Sequence, residues 1–264
     1  MRSRSPNETS PAPPSQRLID IFGRYADGYL RRHFHSARLL KSGAPEPVPG
    51  MPLVIYLNHA SWWDPLVCLL LARRFFSQRR SYAPISAEAL GRYRFFTKLG
   101  FFPVEQNPRG AAQFLRQAEA VLQSDRAALW LTPQGRFVDL RTRPLHFHRG
   151  LGHVATRVER AAFMPVALEY VFWEERLPEI LVSFGQPLVI SADHALGVDD
   201  ATQLFEVALA TVQDHLATAA QRRDPREWHP LLHGRAGVGG VYQFWNRARA
   251  RFRGERYLAA HSRL

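Results

Sequence analysis

The chain has 264 residues, 46% of them hydrophobic and 12% aromatic, enough core for one large domain or two small ones and too apolar for a wholly disordered protein. Its 35 basic and 23 acidic side chains leave a formal net charge of +12, which favours anionic partners. Lys41 and Lys98 are the only lysines, so that charge is nearly all guanidinium. A single cysteine, Cys68, excludes an intrachain disulfide, a Cys-rich zinc site and an iron–sulfur cluster, and fits a reducing cytoplasmic setting.

Positions 1–15, with Pro6, Pro11, Pro13 and Pro14 among Ser, Asn and Thr, bury too little apolar area to offset their ordering entropy and read as a flexible tail. From Arg17 onward Leu18, Phe22, Tyr25 and Tyr29 fall at helical spacing among Arg17, Arg24, Arg31 and Arg32, which predicts a basic amphipathic helix. Its aromatic stripe either packs on the protein's own core or docks at an anionic membrane surface. The N-terminus is polar and proline-rich, unlike a signal sequence, and the longest apolar stretch, Pro65 to Ala72, is far short of the roughly 20 residues that cross a bilayer. The expectation is a protein neither secreted nor membrane-spanning.

Beyond the Gly/Pro punctuation of positions 43–50, Pro52 to Leu57 reads as a buried strand and Pro65 to about Phe75 as an apolar helix. Further strands are predicted at Ser81–Ile85, Phe101–Val104, Ala127–Thr132, Phe163–Tyr170 and Ile180–Phe184. Helices are predicted at Arg109–Gln123, Leu151–Val158 and Ala201–Ala220. Alternating strands and helices imply an α/β fold, a mixed but mostly parallel sheet flanked by helices, with the amphipathic helix at its N-terminus. The expected division is a tail at 1–15, a main domain at 16–222, and a loop-like basic aromatic extension at 223–264. In that extension Gln243 to Arg256 mixes Phe244, Trp245 and Phe252 with Arg247, Arg249, Arg251 and Arg253.

The sharpest local feature is NHASWWDP, Asn58 to Pro65, where a strand gives way to a helix. Open α/β sheets bind ligands at such carboxyl ends. His59 can take a proton near neutral pH, and Asp64 five residues on can hold the imidazole in one tautomer. Asp64 also stands where a helix N-cap belongs, with Pro65 at the first helical position, so capping is a competing role for it. Ser61 reads as an orienting or loop-bonding hydroxyl rather than a nucleophile. No G-x-S-x-G elbow is present, and Cys68 lies within an apolar helix, where a thiol packs more often than it reacts. His146, His148 and His153 lack an acidic or cysteine companion, so no metal is expected there.

NHASWWD resembles the N-H-x-S-x-x-D block of the glycerolipid acyltransferases, typified by the 1-acylglycerol-3-phosphate acyltransferases. Three further blocks follow in that family's order: GFFPVEQ at 100–106, LTPQG at 131–135 and FMPVAL at 163–168, with Arg149 and Gly150 resembling its Lys/Arg-Gly segment. The resemblance spans roughly Ile19 to Leu188. It implies acyl transfer without a covalent acyl-enzyme: His59, oriented by Asp64, deprotonates a lipid hydroxyl that attacks the thioester of acyl-CoA or acyl carrier protein, with no other cofactor. It also implies substrate contacts from Asn58, Ser61, Gln106, Arg109, Pro133, Gln134, Gly135, Arg136 and Arg149. The basic amphipathic helix, the net charge and the lone cysteine lead to the expectation of a cytoplasmic protein, peripheral on the inner face of the cell membrane.

Two positions depart from the family pattern. Gln106 replaces an arginine that holds the acceptor's phosphate, and Gln134 replaces the glutamate of the third block. Losing an arginine–phosphate fork weakens phosphate binding by roughly 1.5–3 kcal/mol unless Arg109 or Arg136 takes over. Lysophosphatidate therefore competes as acceptor with lipids bearing a sugar or an amino acid. A non-catalytic membrane-binding protein and a thioester hydrolase are the rival functions, while nucleic acid has only charge in its favour and no reading motif.

Overall fold

The computed structural model describes residues 10–235. Positions 1–9 of the expected tail and the stretch Gln243 to Arg256 lie outside the described residues. The elements in chain order are α1 (Gln16–His33), β1 (Ser36–Leu40), β2 (Leu53–Leu57), α2 (Asp64–Phe75), β3 (Arg80–Ser86), α3 (Ala87–Arg92), β4 (Phe101–Val104), α4 (Pro108–Val121), β5 (Ala127–Leu131), α5 (Gly150–Ala155), β6 (Arg160–Val171), β7 (Glu179–Phe184), β8 (Leu188–Ser191), α6 (Val198–Arg222) and β9 (Trp228–His233). A 3₁₀ segment, Arg94–Leu99, links α3 to β4.

The strands form one sheet in the order β4-β3-β5-β2-β6-β7-β1-β9, with β8 alongside the first part of β6. The run β4-β3-β5-β2-β6 is parallel, as is β1 against β7. β7 and β8 pair antiparallel with β6, and β9 antiparallel with β1. The expected α/β class with a mixed, mostly parallel sheet is what the chain adopts. β2 sits centrally and is buried at every residue, which explains its unbroken apolar run. By strand alternation Leu53, Ile55 and Leu57 meet α1 and α2 on one face, while Val54 and Tyr56 meet α4, α5 and α6 on the other.

The amphipathic helix turns a different face inward from the one its aromatic stripe suggested. Gly23, Ala26 and Leu30 are its buried positions. Gly23 lies against the Arg73 guanidinium of α2, and Arg73 closes a 2.9 Å ion pair with Asp27 one turn further along α1. Small residues let the two helices approach, and the rings of Phe22, Tyr25 and Tyr29 are left to run along the side.

The loop-like reading after Arg222 is corrected by β9, which pairs with β1 at the sheet edge, so at least Trp228–His233 belong to the main domain's sheet. Pro230 hid this strand. A proline lacks the donor an inner strand needs, yet an edge strand tolerates it. Strands β1 and β8 and helix α3 were likewise not anticipated. Among the described residues no helix is long and apolar enough to cross a membrane.

Candidate active site

Asn58 to Trp63 form the turn between β2 and α2, and the turn is held by side chains rather than by regular structure. Asn58 is buried and bonds both ways with the backbone of Leu168 in β6: its Nδ2 donates to the Leu168 carbonyl at 3.0 Å and its Oδ1 accepts from the Leu168 N–H at 2.9 Å. That fixes the end of β2 against β6. The substrate contact expected of Asn58 gives way to this positioning role.

His59 Nδ1 and Asp64 Oδ2 are 2.7 Å apart. The same carboxylate oxygen accepts the backbone N–H groups of Ala60 at 2.9 Å and Ser61 at 3.1 Å, and the other oxygen accepts the Tyr170 hydroxyl at 2.7 Å. Asp64 is only 1% exposed, so four donors stand in for the water it has lost. A carboxylate so placed requires the proton of His59 on Nδ1, which leaves Nε2 with a free lone pair on a ring that is 22% exposed. Capping by Asp64 is overturned: it is the first residue of α2 after Trp63, and no side-chain bond caps the helix. The carboxylate points back into the turn instead of forward along the helix.

Tyr170 was not singled out by the sequence, because its contact with Asp64 spans 106 residues and nothing local marks it. Burial, reinforced by the adjacent Asp64 charge, holds its hydroxyl well above the usual tyrosine range, so it stays a donor. Burial also pushes the Cys68 thiol up, with Asp64 adding to the effect, consistent with a packing role. Ser61 Oγ accepts the Trp63 N–H at 3.3 Å, as a loop-bonding hydroxyl does.

The third sequence block clamps the histidine. Gln134, 5% exposed, accepts the His59 N–H through Oε1 at 2.8 Å, and the Val138 N–H donates to the His59 carbonyl at 2.9 Å. Gln134 is thus a holder of backbone rather than the substrate contact expected of it, and a neutral amide oxygen serves as acceptor where a glutamate would. Gly135 takes φ of +66°, and a Cβ there would lie 2.5 Å from the His148 ring, so the turn admits only glycine. Pro133 is buried, and its carbonyl accepts the His148 N–H at 2.8 Å. Phe137 places its ring centroid 4.4 Å from that of His59.

A cavity of about 690 Å³ opens beside this turn, walled by Ala60, Ser61 and Trp63, by Tyr170, and by Val138 to Arg141. Gln106, Arg109, Arg136 and Arg149 are exposed and do not line it. Gln106 lies in the turn before α4, where the neighbouring Asn107 caps the helix through a 2.7 Å bond to the Gly110 N–H. Arg149 forks onto Asp199 at 2.8 and 2.9 Å. These four expected substrate contacts therefore do not line the described cavity. His146, His148 and His153 do not converge, and among the described residues no three His, Cys, Asp or Glu side chains are grouped as metal ligands.

A mostly parallel sheet whose central strand delivers a buried-carboxylate–histidine pair in H-x4-D spacing defines an acyltransferase. The acyltransferase family model matches residues 39–169, from β1 to near the end of β6, and the chain belongs to that family. No curated protein matches it in sequence. Eight solved chains match in structure. One is PlsC from Thermotoga maritima, described as a 1-acyl-sn-glycerophosphate (LPA) acyltransferase, at a TM-score of 0.53 and 12% identity over 76% of this chain and 79% of that one, a likeness of fold.

Proposed function

We propose that this acyltransferase moves a fatty acyl group from a thioester, acyl-CoA or acyl carrier protein, to the hydroxyl of a lysolipid in phospholipid or related lipid biosynthesis. The 2.7 Å contact between His59 Nδ1 and Asp64 carries the reading, because it leaves Nε2 as the acceptor for the hydroxyl proton. As that proton moves to Nε2, the acceptor oxygen attacks the thioester carbonyl. The C–S bond then breaks, and the thiolate takes the proton back from the imidazolium. General-base catalysis of this kind contributes roughly 10²- to 10⁴-fold.

The protein works as a peripheral protein on the inner face of the cell membrane. Supporting this, exposed and half-buried rings form a continuous file: Phe95 against Phe22, Phe22 against Tyr25, Tyr25 against Tyr29, and Tyr29 against Trp62 in the catalytic turn itself. Trp62 is 63% and Tyr25 61% exposed, and Arg24, Arg31, Arg32, Arg92 and Arg94 are exposed on the same segments. Aromatic rings flanked by guanidinium groups suit an anionic lipid interface.

The test follows free thiol release from palmitoyl-CoA with and without lysolipid, for the natural protein and for His59→Ala. Acceptor-dependent release that falls at least 10²-fold in a folded His59→Ala protein is expected. Near-normal turnover in that variant refutes the mechanism, and acceptor-independent release makes the protein a hydrolase.

A further inference from the structure

Resting on that lysolipid reading, the charges of the cavity narrow the acceptor. Asp139, Arg141 and Glu169 are its charged lining groups; the Tyr170 hydroxyl is given to Asp64, and His33 Nδ1 is tied to the Tyr29 carbonyl at 2.9 Å. Arg141 and Asp139 neutralise one another through two bonds of 2.9 and 2.7 Å. Glu169 has no such counterpart. It is half-buried near the end of β6, and among the described residues nothing donates a hydrogen bond to its carboxylate. Burial pushes that carboxyl above its usual range, as befits a charge without compensation.

A second, smaller cavity of about 170 Å³ adjoins the first and shares Leu140, Arg141 and Glu169 with it. Its other ion pair is again closed on itself, Arg143 to Asp214 at 2.5 Å. Gln213 of α6 also lines it, is 6% exposed, and has an Oε1 buried without a hydrogen-bond partner. Both arginines of the joint groove are thus matched by an aspartate, and what remains is a carboxylate without a counter-charge, Glu169, and a buried amide oxygen without a partner, Gln213 Oε1. The buried, unpaired Gln213 oxygen is costly and the half-buried Glu169 charge is uncompensated, so a cationic ligand that brings donors answers both.

We infer that the acceptor is a lysolipid whose head group carries an ammonium, held by Glu169 and Gln213 beside the catalytic turn. An ammonium supplies three donors and one positive charge, which is what this groove lacks. A phosphate monoester would meet the uncompensated Glu169 instead.

The experiment uses octanoyl lysophosphatidylethanolamine, its N-acetyl derivative, in which the ammonium becomes a neutral amide, and octanoyl lysophosphatidate. Binding is read by tryptophan fluorescence, since Trp63 lines the cavity. The free-amine form is expected to bind about tenfold tighter than the N-acetyl form, and Glu169→Gln to bring that ratio near one. Gln213→Met, a variant of similar volume, is expected to reduce the ratio about threefold. Thermal melts of both variants check that they fold. Equal binding of amine and amide forms, tighter binding of lysophosphatidate, or a ratio unmoved by Glu169→Gln overturns the inference. Thiol release from palmitoyl-CoA in the same samples separates the two claims. Transfer without amine preference defeats the ammonium site alone, and amine preference without transfer to any acceptor defeats the acyl-transfer reading alone.

Discussion

Asp64→Asn isolates what the buried charge contributes, because the amide can occupy the carboxylate's place with its bonds intact. Its carbonyl oxygen replaces the oxygen that accepts from His59 Nδ1, Ala60 N and Ser61 N, and its NH₂ faces Tyr170, whose hydroxyl rotates to accept. Four charge-assisted bonds, each worth about 1.5–3 kcal/mol, become neutral ones of about 0.5–1.5 kcal/mol. The desolvation cost of a charge that is 1% exposed disappears at the same time. These nearly cancel, so a stability change within about 2 kcal/mol is expected. Turnover has no such compensation: the positive imidazolium of the transition state loses its counter-charge, and kcat should fall roughly 10²- to 10⁴-fold. Thiol-release kinetics on protein shown to be folded by denaturant titration measure both quantities. Because Asp64 acts through His59, the double variant with His59→Ala should be no slower than His59→Ala alone. A folded Asp64→Asn protein with kcat within threefold of normal, or losses that multiply in the double variant, would refute the argument.

Gln134→Leu leaves the His59 N–H buried without its 2.8 Å acceptor, so stability should drop by about 1–3 kcal/mol, whereas Gln134→Glu, which keeps an oxygen there, should retain more turnover than Gln134→Leu; equal kinetics for the two variants count against the clamp. Alkaline unfolding offers a second check. Burial holds Tyr56 and Tyr170 protonated in the folded protein above the pH near 10 at which an unfolded tyrosine ionises. The unfolded chain therefore loses protons first, and each such residue takes away about 1.4 kcal/mol of stability per pH unit above pH 10. Tyr170→Phe should make the decline between pH 10 and 11 shallower by about that amount, and an unchanged slope in urea titrations contradicts it. Sedimentation with anionic vesicles should weaken as salt shortens the Debye length below about 10 Å, and Tyr25→Ala with Trp62→Ala should diminish it further; a folded double variant that binds like the natural protein removes the aromatic file from the interface.

Much of the fold was legible because its central strands are buried on both faces, so β2, β5, β6 and β7 are apolar runs that period and punctuation delimit. The missed strands lack that signal. β1 carries Arg38 on a sequence without β-branched residues, and β9 carries Pro230; both are fixed by each other and, for β1, by β7, across a long stretch of chain. At the site, His59 and Asp64 were visible because only four residues separate them. Tyr170, Gln134's grip on His59 and Asn58's on Leu168 are contacts across 75 to 110 residues, which no local pattern encodes. Burial was the other blind spot: Asn58 and Gln134 look like surface amides in a sequence and are inside.

Strand β6 places two neighbours on opposite sides of the sheet. Val166, Leu168 and Tyr170 face α2 and the Asp64 carboxylate, whereas Ala167 packs toward α6 and Glu169 lines the groove beside Gln213. The alternation of β6 is therefore what keeps the Tyr170 hydroxyl on the Asp64 carboxylate. A one-residue insertion or deletion within the strand would exchange the two faces and take the Tyr170 hydroxyl off Asp64. Genetic drift in length is closed to this segment. Substitution at 167 or 169 leaves that register, and the Tyr170 bond to Asp64, in place.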